Sequence, residues 1–184
     1  MSPSGSSIIL RLNTSNQNKY KEFKRLFSKY NIDLDVSHRD VREIVSDPLS
    51  VSIHKASQLG EYVITEDTSL DIEGEKVGIN VKWMMDSLSK FVGKHANWNV
   101  FLAILIQGQV HIYRGQVQGT IVNPRGDSNF GFDPVFQPVG ATKTLAEDKP
   151  DEYSARAKAV ESFVRDQPYA IVNPIFDWDG EYQE

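Results

Sequence analysis

Residues 8–30 read IILRLNTSNQNKYKEFKRLFSKY. Ile8 to Leu12 is a short β-rich run and Asn13 to Asn18 is polar. Tyr20, Phe23, Leu26, Phe27 and Tyr30 then recur at helical spacing, leaving Lys21, Lys24, Arg25 and Lys29 largely off that apolar face. The order is strand, polar loop, helix. Outward from it, Ile32 to Val36 alternates as a strand, Asp40 to Pro48 is a charged connection, and Leu49 to Gly60 reads as a helix stopped by glycine. Tyr62 to Thr65 is a third strand, ending directly in Glu66 and Asp67. Val81 to Phe91 is predicted helical. Val100 to Gln107 and Gln109 to Val122 form a hairpin through Gly108, and Ser154 to Arg165 is a helix with Ser154 at its N-cap. Interleaved helices and strands define an α/β class with a mixed sheet.

The 184 residues and 20.8 kDa suit one domain with a sizeable core, and no repeat, low-complexity tract or long linker divides them. Met1 to Ser7 reads as a frayed start, carrying no basic residue followed by an apolar stretch. With 40% hydrophobic and 24% charged residues the composition is that of a globular chain. A net charge of −5 argues against broad nucleic-acid binding, and the longest apolar run is far too short to cross a membrane. The absence of cysteine removes disulfides, thiolate nucleophiles and Cys-type zinc sites; it is compatible with any compartment and points toward a reducing one, and the expected location is cytoplasmic.

Three segments could carry chemistry. Helix N-termini attract anions, so Asn13 to Lys19 is a candidate phosphate site with Lys19 adding a full charge; the plainer reading is a surface helix capped by Thr14, Ser15 or Asn16. It is not a Walker loop, whose glycine spacing is absent. Glu43, Glu66, Asp67 and Asp71 are oxygen donors of the kind Mg²⁺ takes, although Asp71, beside Glu73 and Glu75, reads better as part of a solvated acidic face. Glu66 and Asp67 stand out because they follow an apolar strand, and strand ends in α/β sheets border ligand crevices. Asn129 to Phe136, NFGFDPVF, gathers aromatics around a glycine, an acid and a proline, which suits either a base clamp or a hydrophobic turn in the core. Arg156 and Lys158 fall in the first turn of the last helix, where they oppose its dipole unless they face a ligand. A phosphate cradle, metal carboxylates and an aromatic clamp together describe a nucleotide site.

The same residues resemble the inosine triphosphate pyrophosphatase family, in its eukaryotic-type branch, over nearly the whole chain. The resemblance rests on TSNQNKYKEF from Thr14, VITEDTSL from Val63, VKWMMDSL from Val81, and YRGQVQGTIVNPRG followed by NFGFDPVFQP between Tyr113 and Pro138. It implies hydrolysis of non-standard purine triphosphates (ITP, dITP, XTP) to monophosphate and pyrophosphate, with Mg²⁺, or Mn²⁺ in its place, as cofactor. It also implies an elongated mixed sheet flanked by helices, two lobes enclosing a central nucleotide cleft, and a homodimer in which Trp83 and its helix are interface candidates. Carried over by position, Thr14, Asn16 and Lys19 match the phosphate loop, and Lys55 and Lys82 match cations near the triphosphate. Glu43, Glu66 and Asp67 match the metal site, with Asp67 also activating water. Phe130, Phe132 and Asp133 match the base-binding block, with Phe130 stacking on the purine, and Arg156 matches the arginine of a Ser-His-Arg motif.

This chain departs from that pattern in three places. Ser154-Ala155-Arg156 lacks the histidine that helps read the purine's six-position oxygen, a loss that weakens a hydrogen-bonding sieve. The connection before Ser154 is short, placing Pro150 where the family has a lysine and Lys149 one residue away. Ser15 replaces a frequent glycine. The alternatives are therefore the same enzyme with relaxed base specificity, or a catalytically weakened nucleotide-binding or interaction protein.

Overall fold

The computed structural model describes residues 8–75, 85–127 and 131–184. In chain order these form β1 (Leu10–Asn13), α1 (Gln17–Ser28), β2 (Leu34–Ser37), α2 (Pro48–Leu59), β3 (Val63–Ile72), β4 (His95–Ile106), β5 (Gln109–Ile121), β6 (Phe136–Pro138), α3 (Ala155–Val164) and β7 (Ala170–Val172). The strands make one mixed sheet in the order β2-β1-β3-β4-β5-β6, with β7 also on β5. β1 is parallel to both β2 and β3, pairing Leu12 with Val36 and with Ile64. The expected α/β mixed sheet is thus the observed one. Among the described residues no helix is long and apolar enough to cross a membrane.

The chain divides into two compact units. The first comprises Met1–Asp67, Phe101–Tyr113 and Val160–Glu184. On one face of its sheet portion Ile53 and Ala56 of α2 join Ala103, Leu105, Val110 and Ile112 in a buried cluster. Residues of opposite parity serve the other face: Tyr113 meets Phe163 edge-on at 5.0 Å, and Phe163 meets Phe27 of α1 at 5.5 Å. Asp47 caps α2 by accepting from the Ser50 amide, and Pro48 follows at the first helical position, where a missing N–H is harmless. The predicted hairpin turn is confirmed. Gln107 and Gly108 both have positive φ, 50° and 79°, as a two-residue turn joining twisted strands requires.

The second unit comprises Thr68–Val100 and Arg114–Ala159. Trp98 is its central side chain, with Phe132 and Phe136 packed edge-on at 5.7 and 6.5 Å. Ser154 caps α3 as predicted, its hydroxyl accepting from the Ala157 amide at 3.1 Å.

Three expectations need correction. β3 does not stop at Thr65 but continues to Ile72, so Glu66 and Asp67 lie inside a strand rather than at its end. The extension is held by its neighbour, the Glu73 N–H donating to the His95 carbonyl at 2.9 Å. β4 correspondingly begins at His95, five residues before the predicted start. Asp71 is not on a solvated acidic face: it sits in β3 and accepts from Asn99 Nδ2 at 2.9 Å, while Gln116 Nε2 donates to Asn99 Oδ1 at 2.7 Å. Of the predicted helix Val81 to Phe91, residues 81–84 lie outside the described residues and Met85–Phe91 is helical, in 3₁₀ form.

Candidate active site

Chemistry begins at the end of β1. Thr14 donates its N–H to the Ser37 carbonyl, and Asn13 exchanges side-chain hydrogen bonds with the Arg39 backbone, so the polar loop is fastened to the chain that follows β2. Of the three candidate caps Asn16 is the one used: its Oδ1 accepts from the Lys19 amide at 3.0 Å. Thr14 Oγ1 accepts from the Asn16 amide at 3.0 Å, which leaves its hydroxyl proton available to an anion. Lys19, in the first turn of α1, reaches Glu66 Oε2 at 2.7 Å.

A second ion pair lies in the same unit. Lys55, projecting from α2, meets Glu43 Oε1 at 3.1 Å. Asp67 stands in the field of both pairs. Burial, and then the neighbouring Glu66 carboxylate, push its carboxyl up from the ordinary 3.8 to about 6; Glu43 adds to the rise while Lys55 and Lys19 oppose it. Lys19, Glu43, Lys55 and Glu66, positions scattered between α1 and β3, thus all act electrostatically on Asp67.

Glu66 and Glu43 differ within it. The Glu66 side chain is 2% exposed and committed to Lys19, whereas Glu43 is 44% exposed. Among the described residues no group of three or more His, Cys, Asp or Glu side chains converges as a metal site. Mg²⁺ does not demand one, because it characteristically takes one or two carboxylates and completes its shell with water and phosphate oxygens. An acidic group whose ionisation is resisted by two other carboxylates is chemically suited to a cation, so the donor set fits.

The second unit carries the other predicted residues. Asp133 is buried and paired with Lys149 Nζ at 2.9 Å. Phe132 is a core ring against Trp98. Arg156 is 7% exposed, with its guanidinium 5.8 Å from the Trp98 ring centre, so it is buried rather than splayed into water at the start of α3. Lys149 also lies over Trp98, at 5.1 Å. Ala155, where the family pattern has histidine, is fully buried. Phe130 and Lys82, together with Trp83, lie outside the described residues.

Sequence reasoning left Lys149 without a role and passed over Trp98. An offset of one residue hid the first. The second had a usable signal in the alternation of apolar residues at Ala96, Trp98 and Val100.

A mixed α/β sheet carrying a half-buried acid in the field of two lysines and two carboxylates is an arrangement suited to phosphate esters or anhydrides. The chain belongs to the Ham1 family, whose model matches residues 10–166. It is 32% identical over 170 residues to a dITP/XTP pyrophosphatase of Pyrobaculum aerophilum, spanning 82% of this chain and 91% of that protein. Against an inosine triphosphate pyrophosphatase of Yarrowia lipolytica the identity is 33% over 168 residues, 80% of this chain and 89% of the relative. A crystal structure described as a nucleoside-triphosphatase / dITP/XTP pyrophosphatase from Mycobacterium abscessus has the same fold, with a TM-score of 0.60 at 20% identity over 85% of this chain and 99% of the other.

Proposed function

We propose that this chain hydrolyses non-standard purine nucleoside triphosphates, ITP, dITP and XTP, to the monophosphate and pyrophosphate. The observation that carries the reading is Asp67: a largely buried carboxyl, held near pH 6 and surrounded by Lys19, Lys55, Glu43 and Glu66. A base poised close to the working pH is what proton abstraction from water requires. Asp67 orients the attacking water and takes its proton as oxygen bonds to the α-phosphorus; the α–β anhydride bond breaks and pyrophosphate leaves with the electron pair. Lys19 and Lys55, joined by Lys82, stabilise the charge on the departing phosphates, and the Thr14 hydroxyl with the Asn16-capped turn seats them. Glu66 positions Lys19. Glu43 and an acidic residue of the Glu66–Asp67 pair would hold the divalent cation, Mg²⁺ or Mn²⁺, and such an ion would neutralise phosphate charge.

For base recognition we assign the block of Phe130, Phe132 and Asp133, with Phe130 stacking on the purine. Asp133 with Lys149 supplies a fixed acceptor and donor, and Arg156 is held by the face of Trp98. A second reading, relaxed base specificity, is favoured by one observation: Ala155 is fully buried and offers no hydrogen-bonding group where the family has histidine. We further propose a cytoplasmic homodimer that binds nucleotides but not nucleic acid.

The decisive measurement is pyrophosphate release from ITP, XTP, ATP, GTP and dUTP in parallel, with Mg²⁺ and with chelator. The expected outcome is metal-dependent release from ITP and XTP, abolished by Asp67→Asn. Equal rates on every purine would establish the relaxed sieve, and no release from any substrate would leave a nucleotide-binding protein.

A further inference from the structure

We infer that the segment Glu181–Gln183 is a positioning strand for Glu43, fixing the backbone from which that carboxylate meets Lys55 and the divalent cation. This rests on the reading of Glu43 as a metal ligand. The segment lies beyond the residues that match the family, 10–166.

Glu43 belongs to a stretch without helix or extended strand pairing. Its one described ladder contact is an antiparallel bridge between Ile44 and Tyr182. Around that bridge the Gln183 N–H donates to the Glu43 carbonyl at 2.7 Å and the Val45 N–H donates to the Glu181 carbonyl at 2.9 Å. The Gln183 side-chain amide adds a third bond, Nε2 to the Ile44 carbonyl at 3.0 Å. Arg42, on the other flank of Glu43, lays its guanidinium over the Tyr182 ring at 4.3 Å. Three successive residues, Glu43, Ile44 and Val45, are therefore bonded to the segment through their backbones, and Ile44 is fully buried beneath.

The segment is anchored in turn to the helix that carries Lys55. Tyr182 packs edge-on against His54, the residue before Lys55, at 6.1 Å. Ser57 Oγ accepts from the Ile175 N–H at 2.9 Å, and Gln58 Nε2 donates to the Phe176 carbonyl at 2.7 Å. Trp178 Nε1 donates to the Glu181 carbonyl at 3.0 Å, which closes the turn between these anchors. Both partners of the Glu43–Lys55 pair are thereby referred to one structural element. A half-exposed glutamate on an irregular stretch otherwise samples many positions, and groups that orient a metal ligand are worth about 10- to 100-fold in affinity.

The test is Mn²⁺ binding without turnover, read from the loss of the free-ion paramagnetic signal on metal-free full-length chain in the presence of the α,β-methylene analogue of ITP. Gln183→Pro removes the donor to the Glu43 carbonyl and the side-chain donor together. It is expected to weaken Mn²⁺ about 10-fold. Tyr182→Ala is expected to do the same through Arg42 and His54, while Tyr182→Phe, which keeps the ring, restores full-chain affinity. In a Glu43→Gln background Gln183→Pro should cause no further loss.

Unchanged binding in Gln183→Pro overturns the inference, as does an equal loss in the Glu43→Gln background, which would mean general loosening. If Glu43→Gln alone leaves Mn²⁺ affinity intact, the metal-ligand reading falls and takes this inference with it. Circular dichroism melting identifies any variant that fails to fold, in which case the Tyr182 pair decides.

Discussion

Asp67 holds its proton more tightly in the folded chain than an exposed aspartate does, about pH 6 against 3.8. Between those values folding favours the protonated Asp67, so its contribution to stability falls as pH rises from about 4 through 6 and stays lower above. A difference of roughly two units corresponds to at most about 3 kcal/mol. Asp67→Asn should therefore melt higher than the parent at pH 8 and equal to it near pH 4, in chelator, while losing pyrophosphate release; calorimetry across that range checks the sign. A difference between parent and Asp67→Asn that does not change between pH 4 and 8 would remove the strained acid on which the mechanism depends. Lys19, Glu66 and Asp67 stood out in the sequence by identity and place, a lysine after a polar loop and paired acids after an apolar run, whereas Lys55 entered only through the family resemblance. Who pairs with whom was not legible. Lys19 with Glu66, Lys55 with Glu43 and Lys149 with Asp133 are set by strand order and by the path of the chain through β6 between the last two, and side-chain type says nothing of either.

At the scale of elements, local signals performed well where the chain answers to itself. α1, α2, α3 and the β4–β5 turn are specified by period, caps and positive-φ positions within a few residues of sequence. The second half of β3 failed that test. EDTSLDI carries three acids and reads as a loop, and only pairing with a strand more than twenty residues away makes it extended. That pairing also turned Asp71 from a solvated charge into a partner of Asn99. Close packing between elements is equally non-local, and Gly115 shows its consequence. A methyl at this β5 position would overlap the Ala155 carbonyl oxygen and crowd the Ala159 amide of α3. Gly115→Ala is expected to cost about 3 kcal/mol through overpacking, lowering the melting temperature by roughly 6–12 °C. Gly108→Ala, at φ 79° with open space around it, should cost only about 1 kcal/mol from the left-handed backbone. Thermal melts of the two variants side by side test whether the α3 contact, rather than glycine loss in general, is what β5 requires.

For the molecule as a whole, charge separates two kinds of anion handling. A protein that grips a polynucleotide lays many lysines and arginines along it, releases counterions, and loses about 10³–10⁵ in affinity between 50 and 200 mM salt. This chain has 20 basic against 25 acidic residues, and its described cationic groups at the cluster, Lys19 and Lys55, are already paired with Glu66 and Glu43. Its field at long range is that of an anion, so a triphosphate gains little from steering and is held by short-range contacts that salt screens weakly. Raising NaCl from 50 to 200 mM should accordingly lower kcat/KM for ITP by less than about 10-fold, and a single-stranded 20-mer at the substrate's concentration should not inhibit. A steeper decline, together with competition by the oligonucleotide, would reveal an extended basic surface and turn the reading of this chain from a free-nucleotide hydrolase toward one that meets its purine within a polymer.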